Sequence, residues 1–148
     1  MEEAWAGKVG MVTIDKIQTT IRADKFNFFH DPEKYNSADT CVAQIPENVC
    51  TKDGILECLY IALSFPSYFG FNWDALFECL RDFSWIKERS IVIIHSNVKC
   101  IPDDILKIYL EVLNDAINSW EMNSLHNLYV IFNSINEQHI KSLCNENT

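Results

Sequence analysis

The run Ile91-Val-Ile-Ile94 sets four β-branched residues in a row with no polar alternate. A strand of this kind is buried on both faces, the situation of a parallel sheet covered by crossover helices. The flanking periodicities supply those helices. Ile55, Leu56, Leu59, Tyr60 and Leu63 mark one helical face, with Thr51 as its N-cap and Pro66 as its stop. Asn72 caps a second helix running to about Phe83. Asp103 and Asp104, where the helix dipole favours acids, begin a third carrying Ile105, Ile108, Tyr109, Val112, Leu113 and Ala116. Residues 41–45, ended by Pro46, and residues 128–132 read as further short strands. Ser134-x-x-Glu137 has the form of a capping box for a short last helix with Ile140 and Leu143. The order strand, two helices, strand, helix, strand predicts an α/β fold, a small three-stranded parallel sheet packed with helices, over residues 41–148.

Residues 1–40 differ in texture. Residues 9–14 can form a strand and residues 17–21 another, and a polar, aromatic stretch with Pro32 follows. This part holds five of the twelve basic residues, so the remainder is more acidic than the average. It reads as an N-terminal extension packed on the domain, adding a strand or an accessory hairpin.

The formal charge of −9 disfavours non-specific binding to nucleic acid or anionic membranes, and suits either a basic partner or the acidity that many proteins carry for solubility alone. The first residues, Met-Glu-Glu-Ala-Trp, have no cationic start followed by an apolar run, so no export signal is expected. A cytoplasmic protein with six reduced cysteines (41, 50, 58, 79, 100 and 144) is the corresponding expectation. Neither these nor the histidines at 30, 95, 126 and 139 show metal-ligand spacing, so no metal site is expected.

Four glycines form no phosphate cradle, and no Gly-x-Ser-x-Gly elbow is present; no cofactor is expected. The richest segment is Pro66-Ser-Tyr-Phe-Gly-Phe-Asn-Trp-Asp-Ala-Leu-Phe-Glu-Cys-Leu80. An aromatic turn hinged on Gly70 enters the second helix, whose i, i+4, i+8 spacing places Asp74, Glu78 and Asp82 on one side. Leu76, Cys79, Leu80 and Phe83 lie opposite. Tyr68, Trp73 and Phe77 fall at the edges, Trp73 and Phe77 as i, i+4 neighbours. A carboxylate pair working as acid and base would need one member desolvated, and nothing in the sequence builds such a pocket. Spacing leaves a solvated helix face and a binding surface equally open, although large rings beside charges are typical of protein contact surfaces.

This segment resembles the barstar family, intracellular inhibitors of the bacterial ribonuclease barnase. Its Tyr-aromatic-Gly-x-Asn-x-Asp-Ala-Leu-aromatic-acid-Cys-Leu pattern is present almost unbroken, with weaker similarity over residues 41–132. The resemblance implies a 1:1 inhibitor, not an enzyme and with no catalytic residues. Its loop and helix fill a basic nuclease toxin's active site, and acids occupy the RNA phosphate positions. Carried over by position, the contact residues are Tyr68, Gly70, Asn72, Trp73, Asp74, Phe77 and Glu78; Asp115 is a further acidic contact from the third helix, and Asp82 extends the acidic row. The chain departs from the family pattern in having Glu78 for a shorter acid, Phe77 for the usual Trp, Trp73 for a smaller aliphatic residue and Phe71 for an acid. The other readings are an interaction module regulating an endogenous basic protein, an immunity protein against a non-nuclease toxin and, last, an enzyme using Asp74 and Glu78.

Overall fold

The computed structural model describes residues 21–32 and 39–144. The elements are β1 (Asn27–Phe29), β2 (Thr40–Ile45), α1 (Lys52–Ala62), α2 (Trp73–Leu80), β3 (Ser90–His95), α3 (Asp103–Glu121), β4 (Asn127–Asn133) and α4 (Glu137–Cys144). Among the described residues the strands form one sheet in the order β1-β4-β3-β2, with every neighbouring pair parallel. Ile91, Ile93 and Val130 join the main core under the helices. Val92, Ile94 and Ile131 form a separate buried cluster of alternate residues. Burial from Ile91 through His95 is thus continuous, as a β-branched run without polar alternates requires.

The sheet has four strands where three were expected. The addition is β1, drawn from the N-terminal extension and paired in register Asn27 to Ile131 and Phe29 to Asn133. The reason is aromatic packing. Phe26 meets Phe132 edge-on at 5.4 Å and Phe28 stacks on it at 6.1 Å, so two rings anchor a strand too short to show alternation. The strands expected over residues 9–14 and 17–21 lie outside the described residues except for Ile21, which is buried in the main core.

Thr51 and Asn72 cap their helices as the sequence predicts, accepting from the Gly54 and Ala75 amides at 3.0 and 2.8 Å. The second helix stops at Leu80, three residues early. Phe83 adopts φ 49°, its amide bonding back to the Cys79 carbonyl, and its ring stacks on Trp120 at 5.9 Å. Burying that ring ends the helix in a left-handed closure. The expected capping box is also replaced. Asn133 accepts from the Ile135 amide and opens a short 3-10 turn over Ser134–Asn136, from which α4 continues.

The reduced state expected for all six cysteines does not hold: Cys50 and Cys100 are disulfide-bonded, with Cα atoms 5.1 Å apart. Fifty residues separate them in sequence, but they lie in the loops leaving β2 and β3, which a parallel sheet places side by side. Cys41, Cys58, Cys79 and Cys144 remain free thiols. Among the described residues, no helix is long and apolar enough to cross a membrane.

Candidate functional site

The loop between α1 and α2 is built on aromatic rings. Phe65 and Phe69 are buried with centroids 4.9 Å apart, and Phe69 stacks on Tyr60 of α1 at 5.9 Å. Trp85 packs edge-on to Phe65, and its indole N–H donates to the Leu63 carbonyl at 2.8 Å. With this base fixed, Tyr68 is turned outward and is 78% exposed. The hinge is not where the glycine suggests. Gly70 lies outside the left-handed region, whereas Phe71 has φ 52°. For a residue with a Cβ this conformation costs roughly 1–2 kcal/mol, offset here by ring contacts to Tyr60 at 5.0 Å and Phe69 at 4.8 Å. The added strain lets Asn72 turn into its capping position, where it also donates to the Gly70 carbonyl at 3.3 Å.

From that cap α2 presents two faces. Leu76, Cys79 and Leu80 are buried, while Asp74 and Glu78 are exposed. Trp73 and Phe77 are half-buried at the margin. Trp73 lies 6.2 Å from the Tyr109 ring of α3 and is thereby fixed from below. Tyr109 is pinned in turn by His95, whose Nε2 is 2.7 Å from the Tyr109 hydroxyl and whose Nδ1 is 2.9 Å from the Ile131 carbonyl. The carbonyl can only accept, so Nδ1 carries the proton and Nε2 accepts from the tyrosine. At the other end of α2, the Trp120 indole donates to the Leu80 carbonyl at 2.8 Å.

Tyr68, Glu78, Cys79, Arg81 and Asp82 line an open depression of about 390 Å³, which brings three of the predicted contact residues together. Asp82 sits in the turn beyond the helix and not on its face, because α2 ends at Leu80. Asp115 is on α3, half-buried, with Glu111 and Asn114 of its own helix as neighbours. Burial pushes its pKa up, Glu111 adds to the rise, and the nearby Asn114 side-chain amide opposes it.

Arg81 was not foreseen. Its Nη2 is 3.1 Å from Glu78 Oε1 and 3.4 Å from Oε2, its Nε is 3.2 Å from Oε1, and its guanidinium carbon lies 5.1 Å from the Phe77 ring centroid. The Glu78-x-x-Arg81 spacing is a legible i, i+3 pair that a search for carboxylates alone passes over. Glu78 therefore already holds a guanidinium in the position a cationic partner would take. With side chains 48% and 63% exposed, that pair contributes only about 0–1 kcal/mol and exchanges readily.

Among the described residues no group of three His, Cys, Asp or Glu side chains is placed to hold a metal ion. The arrangement offers a strip with two exposed carboxylates on a capped helix, a third just beyond it, one projecting tyrosine and two half-buried rings. A family model described as Barstar (barnase inhibitor) matches residues 41–132, which include all of it. No curated protein matches the chain.

Proposed function

The chain belongs to the barstar family, a family of inhibitors and not enzymes, and on that premise we propose that it blocks a cytotoxic ribonuclease by filling the enzyme's basic active site. The observation that carries this reading is the exposure of Asp74 and Glu78 on a helix capped and braced from beneath, next to a fully presented Tyr68. In the complex the two carboxylates stand where the phosphates of RNA would lie. Tyr68, Trp73 and Phe77 supply contact area around them, Gly70 and Asn72 shape the approach, and Asp82 and Asp115 widen the negative field. Preformed rings and a preformed helix lose little conformational freedom on binding, which favours slow release of a 1:1 complex. An immunity role, protecting a cell from such a nuclease, follows from the same chemistry.

Inhibition of RNA cleavage tests the proposal. Purified protein titrated against barnase and a panel of barnase-type ribonucleases is expected to abolish activity of at least one at equimolar ratio, and co-expression is expected to restore growth to cells making that enzyme. Absence of both effects across the panel would sink it. Binding to a basic protein devoid of nuclease activity, with the panel untouched, would favour an interaction module.

A further inference from the structure

Phe71 combines three properties that rarely meet. Its backbone is left-handed with φ 52°, the residue is 44% exposed, and its ring is nonetheless packed against two others. Tyr60 at 5.0 Å and Phe69 at 4.8 Å hold one side, and those two rings stack on each other at 5.9 Å. The result is a triangular cluster of three rings, rooted in α1 by Tyr60, of which Phe71 is the exposed phenylalanine. Backbone strain of this kind persists where surrounding structure over-determines it, and it concentrates at ligand clamps and other functional sites. Phe65, Phe69 and Phe83, the other phenylalanines of this region, are buried where Phe71 is not. The same left-handed turn could be made without strain by glycine, yet this chain presents a large apolar group there.

We propose that Phe71 is an apolar anchor of the contact surface, and that the target protein bears an apolar depression at the rim of its cationic cleft to receive it. The inference rests on the inhibitor reading above. Charge complementarity selects the occupant: the exposed carboxylates of Asp74, Glu78 and Asp82 follow within eleven residues of Phe71, so the surface around the ring suits a basic protein and repels nucleic acid and anionic lipid. An aromatic anchor already held in place adds buried area at little entropic cost, the property shared by residues that dominate protein interfaces.

The test separates ring from backbone. Phe71→Gly and Phe71→Asn both accommodate a left-handed backbone without the ring, and Phe71→Tyr keeps it. Inhibition constants against barnase and the barnase-type panel are measured beside thermal midpoints, with Asp74→Ala as reference. The Gly and Asn variants are expected to inhibit about tenfold more weakly or worse with midpoints not lowered, and Phe71→Tyr to stay within about threefold of the wild type. If the Gly and Asn variants inhibit like the wild type while Asp74→Ala does not, the anchor is wrong and the inhibitor reading stands. If inhibition falls only in step with the midpoint in both, the ring belongs to the fold and the anchor is again wrong. If the wild type inhibits no nuclease of the panel, both inferences fall.

Discussion

At the scale of single side chains, the Glu78–Arg81 pair determines how much of the acidic strip is open to a partner. Arg81 screens Glu78 but is held weakly, so Arg81→Ala is expected to speed association with a cationic target, as changes of rim charge do, and to move stability by less than about 1 kcal/mol. Stopped-flow association rates check this; a slower rate would mean that Arg81 positions Glu78 and does not compete for it. Asp74→Ala and Glu78→Ala are each expected to weaken binding by roughly 2–5 kcal/mol with the fold intact, a range taken from buried charge pairs in general, complexes of this family among them. Calorimetric titration with an inhibited nuclease measures the loss. Asp115 behaves differently. Its pKa is raised in the folded chain, chiefly by burial, so its contribution to stability is present at low pH and lost as pH rises through the folded value. Asp115→Asn is therefore expected to stabilise the free protein near neutral pH, with the gain vanishing in acid. Denaturant midpoints at the two pH values decide it. The exposed placement of Asp74 and Glu78 was legible from spacing, since i, i+4 periodicity fixes a helical face, but that of Asp82 was not, because the helix ends before it. The left-handed backbone at Phe71 was not, because the adjacent Gly70 is the residue such a turn normally uses.

Between elements, the joint that matters is His95 of β3 against Tyr109 of α3, with Phe132 of β4 stacked on the imidazole at 4.2 Å. Burial lowers the His95 pKa to about 4 from its ordinary value near 6.5, partly opposed by the Ile131 carbonyl. With the folded value depressed, a stabilising effect of about 3 kcal/mol is present above pH 6.5 and is lost as pH falls through 4. Denaturant midpoints across that window are expected to fall in the wild type and to fall less in His95→Gln; identical slopes would remove His95 as the cause. Because Tyr109 packs against Trp73, the same acidification is expected to weaken the support of α2. Sequence pattern revealed the strands and helices whose periodicity is long, and both caps with a hydroxyl or amide at the right offset. It missed β1, where two phenylalanines and not alternation make the strand, and it overran α2, where burial of Phe83 outweighed continued helical periodicity. The His95–Tyr109 contact joins residues fourteen apart on different elements and carries no local signal.

For the whole molecule, a charge of −9 makes encounter with a basic target fast at low ionic strength and slower as salt rises. The Cys50–Cys100 bond acts on stability. A cross-link spanning fifty residues restricts the unfolded chain by about 4 kcal/mol in a chain-entropy account. Reduction, or a Cys50→Ser and Cys100→Ser double change, is expected to lower the denaturation midpoint accordingly, with the oxidised wild type as the comparison. No residue pattern announces this bond, because only the parallel adjacency of β2 and β3 brings the two loops together. The bond also makes residues 50–100 a closed covalent ring, and every acidic and aromatic group of the strip from Tyr68 to Asp82 is carried on that ring. A protease that cuts once in the exposed turn at Tyr68 therefore opens the ring without dividing the molecule. The nicked protein should keep its full mass until a thiol reductant is added, and only then separate into two polypeptides.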